Sequence, residues 1–222
     1  MPTLHPVRLE HLQDPVLIDE NEGMTASSLL IFAGSTRAQS WNRRLAQAAA
    51  QAAQAQGVTP TVIELADFDV PLYNADLEAR GTPADVIRLK ALFHAHPAWI
   101  ICSPEYNGSY TGLLKNTIDW VSSPVKGDPE WSSGTKPFEG KVVGLMSASP
   151  GALGGLRGLS HLTPLLMNLQ CWVSPRQFAL ARPAEAFDDA GQLKPGAAHD
   201  AVQAVVRQTL WAANAMQQAR PA

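Results

Sequence analysis

The stretch Ile101–Trp120, ICSPEYNGSYTGLLKNTIDW, decides how this chain folds. Leading into it, Ala98-Trp99-Ile100-Ile101-Cys102 is a continuous apolar run, the pattern of a strand buried on both faces. Ser103-Pro104 stops the run, and Glu105-Tyr106-Asn107-Gly108-Ser109 is rich in turn formers. From about Tyr110 to Ser122, Leu114, Ile118 and Val121 recur at helical spacing. A strand, a polar loop and a helix in this order form the repeating unit of a parallel α/β sheet. In such sheets ligands bind outside the carboxyl ends of the strands.

Working outward, the same unit recurs. Toward the N-terminus, Ser28–Ala33 reads as a strand, Gly34–Ser40 as a small polar loop, and Asn42–Gln56 as an alanine-rich helix ending at Gly57. Thr61–Leu65 reads as the second strand, Asp67–Gly81 as a loop, and Pro83 as the first turn of a helix reaching His94. Toward the C-terminus, Pro124–Gly140 is a long loop and Lys141–Met146 the fourth strand. Ser147–Gly155 is a loop, Leu156–Asn168 a helix despite Pro164, and Cys171–Val173 a short fifth strand ended by Pro175. Arg182–Gly196 reads as a polar connection and His199–Gln218 as the closing helix. Five such alternations predict an α/β fold of three layers, with a five-stranded parallel sheet of order 2-1-3-4-5. Residues 1–27 carry Asp14, Asp19, Glu20 and Glu22 and no sustained pattern. They read as an N-terminal extension to a single domain spanning 28–222.

Composition narrows the function classes. A net charge of -3 over 222 residues gives no electrostatic reason to expect nucleic acid. No apolar run approaches the ~20 residues of a membrane-spanning helix. No basic segment followed by an apolar core opens the chain, so a cytoplasmic setting is expected. Cys102 and Cys171 both sit in apolar runs and read as buried free thiols. The six histidines show no metal-ligand spacing, and His94-x-His96 reads as a solvent-facing or capping pair at a helix end. There is no G-x-S-x-G elbow. Glu105 is a carboxylate placed where a base could sit, although nothing beside it requires that role.

In the order 2-1-3-4-5, the loops after strands one, three and four meet along one rim. The first suits a phosphate: Ser35, Thr36 and Ser40 offer hydroxyls, Arg37 a planar cation, and the helix start near Asn42 its free amides. It is neither G-x-G-x-x-G nor a P-loop, so a monophosphate fits better than a pyrophosphate. A plain N-cap with a solvated arginine reads equally well from this loop alone. Pro104–Ser109 brings small residues, backbone amides and one aromatic ring, Tyr106. Ser147–Gly155 brings Gly151, Gly154 and Gly155. Either loop taken by itself also reads as an ordinary turn.

Three segments together resemble the NADPH-dependent FMN reductase family, the flavodoxin-like group of quinone, chromate and azo-dye reductases. They are Gly34-Ser35-x-Arg37-x-x-Ser40-x-Asn42, then Pro104–Tyr110 with Leu114-Lys115-Asn116-x-x-Asp119-Trp120, and Ser147-x-Ser149-x-Gly151-x-x-Gly154-Gly155-x-Arg157. The resemblance implies non-covalent FMN and NADPH or NADH as co-substrate. It implies a phosphate on Ser35, Arg37, Ser40 and Asn42, with Trp41 beside them. The ring would lie between Pro104, Glu105, Tyr106, Asn107, Gly108 and Ser109 on one side and Ser147, Ser149, Gly151 and Gly154 on another. No side chain would serve as nucleophile. The electron acceptor would be a small molecule: free flavin, quinone, chromate or an azo compound. The resemblance also implies a homodimer or homotetramer through the 110–122 helix, accounting for Leu113, Trp120 and a Lys115–Asp119 pair. A flavodoxin-type electron carrier and a non-catalytic FMN-binding protein are the alternatives. Two departures stand out: Thr111 replaces a proline common at the helix start, and Gln170 stands where a glycine often precedes the last strand.

Overall fold

The structure, a computed structural model, describes residues 28–219, so the N-terminal extension lies outside the described residues. Strand β1 (Leu29–Ala33) leads to helix α1 (Trp41–Gln54), strand β2 (Thr61–Ile63), the short helix α2 (Ala75–Glu78) and helix α3 (Ala84–Ala95). Strand β3 (Ala98–Cys102), helix α4 (Gly112–Val121), strand β4 (Val142–Ser149) and helix α5 (Leu156–Asn168) follow. Strands β5 (Trp172–Val173) and β6 (Phe178–Ala181), the short helix α6 (Pro183–Ala186) and helix α7 (Ala197–Gln218) complete the described chain.

All strands are parallel, in the expected order β2-β1-β3-β4-β5. Strand alternation divides the core into two layers. Leu29, Ile31, Ile100, Cys102 and Met146 face α1 and α7, while Leu30, Phe32, Trp99, Ile101 and Leu145 face α3, α4 and α5. The buried side of α1 is almost all alanine, which lets it lie close to both the sheet and α7. The β1 and β3 strands are neighbours whose following helices go to opposite faces, so a crevice opens between their carboxyl ends.

Several boundaries differ from the sequence reading. Strand β4 does not stop at Met146 but runs to Ser149, because a sixth strand, β6, pairs with its upper half. Here β5 and β6 occupy one flank of β4 in succession. Pro175 interrupts them, since it has no N–H for the ladder. At the break Ser174 Oγ donates to Gln208 Oε1 on α7, and that oxygen also accepts from Arg176 N. The segment read as a polar connection thus begins beside a strand and contains α6. His96 takes the capping alternative rather than the solvent-facing one: it is the buried C-cap of α3, with its ring nitrogens 2.7 Å from Leu92 O and 2.8 Å from Thr61 Oγ1. Trp120 is also fully buried within its own subunit: Nε1 donates to Pro71 O and the ring packs edge-on against Tyr73. It therefore needs no subunit interface to explain it. Both cysteines are free and buried, and burial pushes the Cys171 thiol up to about 12.

The two departures have structural consequences. Thr111 is the N-cap of α4: its hydroxyl accepts from Leu114 N and donates to Gly34 O at 2.8 Å. Proline could not make this bond between the end of β1 and the start of α4, and the helix begins at Gly112 instead of Tyr110. Gln170 follows the C-cap of α5 with φ +69°. Gln170 N donates to Met167 O and Cys171 N to Leu166 O, the double closure of a Schellman motif, whose left-handed residue is usually glycine. Gln170→Gly should relieve about 1–2 kcal/mol of left-handed strain and lose part of it to greater freedom in the unfolded chain. A net gain of about 0.5–1 kcal/mol in urea unfolding is expected; no gain would mean the glutamine side chain contributes a compensating contact.

At the other end of α4, Lys90 is wholly buried and its Nζ donates to Val121 O at 2.8 Å and to Ser123 O. It thereby satisfies carbonyls that the helix end leaves open. Burial draws its pKa down to about 8, against the opposing charge of Glu78.

Candidate functional site

The three loops after β1, β3 and β4 bound a cleft of about 270 Å³ at the carboxyl end of the sheet. Ser35, Arg37, Ser40, Trp41 and Asn42 form one end of it. Pro104, Glu105 and Tyr106 form one wall, and Ala148, Ser149 and Pro150 the other. A larger depression, about 490 Å³, lies within the 124–132 loop. It is built by a single segment beyond the C-terminal end of α4, on the side away from the strand ends, and no set of loops converges on it.

The first end of the cleft is an anion site. Ser40 takes the N-cap position of α1 in an extended conformation, yet its hydroxyl makes no capping bond. The first-turn amides of Trp41, Asn42 and Arg43 are therefore open among the described residues, and the helix dipole favours negative charge there. Ser35 is buried, and its Oγ accepts weakly from Arg37 N at 3.4 Å. Arg37 is exposed on the loop above. Trp41 stacks on Phe187 with centroids 5.7 Å apart, and the Arg44 guanidinium lies 4.7 Å over its ring.

Asn42 does something different from the other four. Its Nδ2 donates to Ala148 O at 2.8 Å while its Oδ1 accepts from Ala148 N at 2.9 Å. Both ends of the amide are thus spent on β4, and the residue is 2% exposed. The buried side chain is committed to β4, and the residue's backbone N–H is open toward the cleft. The side chain ties the anion end of the cleft to its far wall.

The second loop is a tight turn. Tyr106 and Ser109 exchange both backbone bonds, at 2.8 and 3.0 Å, across Asn107 (φ +51°) and Gly108 (φ +80°). Two successive left-handed residues make the type I′ geometry for which Asn-Gly is the favoured pair. Tyr106 stands at the mouth, 56% exposed. Asn107, Gly108 and Ser109 continue away from the cleft toward α5, where Ser109 Oγ lies 3.1 Å from His161 Nδ1.

Glu105 is not a free base. Its side chain is 7% exposed and bonded throughout to the start of α5. Oε1 accepts from Arg157 Nε at 2.8 Å and from Arg157 Nη2, while Oε2 accepts from Arg157 N at 3.0 Å and Gly158 N at 3.2 Å. Burial alone would raise the carboxyl, but the bonds from Arg157 and Gly158 and the guanidinium charge outweigh it and hold the pKa below its ordinary value.

The third loop contributes less than its glycines suggest. Ser149 lines the cleft and its Oγ accepts from Gly151 N at 3.4 Å. Ser147 is fully buried, with Oγ lacking a partner among the described residues. Gly154 serves the fold: a Cβ there would come within 2.6–2.8 Å of the β6 backbone at Ala179–Ala181. Ala148 and Pro150 are lining residues that the sequence reading missed, though both lie inside the segment singled out. Phe187 had no such signal, since it arrives from beyond β6.

The donor set fits a singly phosphorylated, flat ligand. Open amides, hydroxyls and one guanidinium meet at one end, and Glu105, the carboxylate lining the cleft, is neutralised by Arg157. The walls that follow offer proline, a tyrosine and strand-end backbone, surfaces suited to a planar ring.

Comparison with known proteins agrees. Residues 27–185 match the family model described as NADPH-dependent FMN reductase. The NAD(P)H-dependent FMN reductase PA1204 of Pseudomonas aeruginosa is 35% identical over 179 residues, 79% of this chain and 89% of that one. A quinone reductase of Pseudomonas putida is 34% identical, covering 75% of this chain and 84% of its own. Among solved structures, the flavoenzyme NAD(P)H:(acceptor) oxidoreductase FerB of Paracoccus denitrificans aligns with a TM-score of 0.73 at 26% identity, over 85% of this chain and 98% of that one.

Proposed function

The chain belongs to the NADPH-dependent FMN reductase family, and from that premise we propose that it is an FMN-dependent NAD(P)H oxidoreductase serving a small-molecule acceptor. The observation that carries this reading is the convergence of the open α1 amides and Arg37 with the Tyr106 wall in one cleft at the β1–β3 switch point.

FMN bound there would supply the redox chemistry between a reduced nicotinamide and a second acceptor. The protein's part is to bind and to orient. Ser35, Ser40, Arg37 and the amides of Trp41 and Asn42 hold the phosphate. Pro104–Tyr106 and Ala148–Pro150 would position the ring and limit water on its enclosed side. Glu105, the carboxylate lining the cleft, is spent on α5 and is not free to exchange a proton with substrate. The open mouth beside Tyr106 admits nicotinamide and acceptor in turn, a ping-pong order. Free flavin, quinone, chromate and azo compounds all fit such a mouth. Assembly through α4, whose outer side carries the half-buried Leu113 and the Lys115–Asp119 ion pair, would give a homodimer or homotetramer, and a cytoplasmic setting suits the reaction.

The visible spectrum of the purified protein tests the reading: a flavin band that bleaches anaerobically with NADPH or NADH and returns on adding quinone. A bound flavin that neither nucleotide reduces would leave an electron carrier instead. Arg37→Ala removes a charge-assisted bond to phosphate, so FMN affinity should fall by roughly 1.5–3 kcal/mol, about 10- to 150-fold. Unchanged affinity on titration would place the phosphate elsewhere.

A further inference from the structure

We propose that Glu105 and Arg157 are positioning residues that clamp the Pro104–Ser109 turn along the first two turns of α5, fixing the separation of the cleft walls before the flat ring enters. The identity of that ring as flavin rests on the function proposed above, whereas the clamp itself stands on contacts within the chain.

Three contacts run in register along the turn and the helix. Glu105 takes Arg157 and Gly158 at the helix start. The Arg157 guanidinium then lies against Gly108, 3.8 Å from where a Cβ on that glycine would stand. One helical turn further on, His161 meets Ser109. Each contact joins segments about fifty residues apart, and together they brace the turn along its length. The helix needs this partner as much as the turn does. Its N-cap is Gly155, which has no side chain to offer, so the Glu105 carboxylate serves as a remote cap on the Arg157 and Gly158 amides. With both oxygens occupied by helix donors, the carboxylate presents no free lone pair to the cleft. A preformed wall lowers the ordering cost of binding. Glu105, placed where a base could sit, is therefore half of a brace.

The test uses Glu105→Gln and Arg157→Lys in the full chain. Glutamine keeps the shape but offers one acceptor oxygen, and its NH2 faces donors. Lysine leaves both amide caps in place and removes only the guanidinium fork. In the flavin-free protein, amide hydrogen exchange at Tyr106, Ser109, Arg157 and Gly158 should quicken about tenfold or more in Glu105→Gln, and less in Arg157→Lys. The FMN dissociation constant should rise about tenfold and about threefold, respectively. The pH profile of kcat/KM should keep its shape, since no titrating catalytic group is lost. A folded Glu105→Gln protein with wild-type exchange and wild-type FMN affinity would overturn the proposal, as would loss of one limb of the pH profile. Wild-type protein that binds no FMN would defeat the functional reading alone, because the exchange measurement still decides the clamp. Should Glu105→Gln fail to fold, Arg157→Lys, an exposed side chain, carries the same comparison.

Discussion

Asn42→Ala is expected to cost about 3 kcal/mol of stability and to weaken FMN binding with it. The alanine leaves the Ala148 N–H and C=O without the Asn42 amide that paired both, buried under α1. An orphaned buried group costs roughly 1–3 kcal/mol, and here there are two. In a domain of this size each kcal/mol moves Tm by about 2–4 °C, so a fall of roughly 6–12 °C is expected by calorimetry. Binding suffers because Ala148, Ser149 and Pro150 form a wall of the cleft. Without the bidentate amide, the top of β4 is no longer tied to the helix that supplies the anion site. Asn42→Asp separates the two contributions. It keeps an acceptor for Ala148 N–H but sets a carboxylate against Ala148 O and beside the open α1 amides. A negative group there competes with phosphate, so Asp should bind FMN worse than Ala at equal stability. Equal affinity in both variants would show that Asn42 is a fold residue only.

How much of this was legible depends on how far apart the interacting partners lie. Ala98–Cys102 and Leu156–Asn168 emerge with the expected bounds because each signal is local: an unbroken apolar run in one, a periodic face between glycines and a stop in the other. The sheet order follows from alternation and handedness, which are also properties of consecutive segments. Strand β6 escaped because Phe178–Ala181 is short and exists only by pairing with a stretch of β4 whose own serines disguise it as loop. In the site, the loops could be found, but the tasks of their residues could not. Asn42 and Glu105 look like ligand contacts in a motif. Their partners, Ala148 and Arg157, lie 106 and 52 positions away, and only the folded geometry brings them together. Thr111 was legible as a departure, yet its value lies in the Gly34 carbonyl just beyond β1. Sequence thus located the rim of the cleft, and structure divided its residues into those open to a ligand and those that hold the rim still.

The same division gives the second large effect, at Gly155. This residue has φ +96°, and a Cβ added to it would lie 1.8 Å from Ser147 Oγ and 2.7 Å from Ser147 Cβ. Gly155→Ala therefore combines left-handed strain with a collision against a fully buried residue in β4. About 3–4 kcal/mol of destabilisation is expected, from overpacking and from the conformational penalty together. The two parts can be separated. Ser147→Gly removes both clashing atoms, and the hydroxyl it deletes has no partner among the described residues, so no hydrogen bond is lost with it. The double variant Ser147→Gly/Gly155→Ala should then retain only the backbone strain and the cost of a glycine within a strand, recovering about 1–2 kcal/mol relative to Gly155→Ala. Urea unfolding of the four proteins in this cycle measures the coupling directly. Strict additivity would mean that the glycine is there for its φ alone. Coupling of the expected sign would show that β4 and the start of α5 are packed in contact beneath the third loop, which is what lets a brace on α5 set the position of the cleft wall above it.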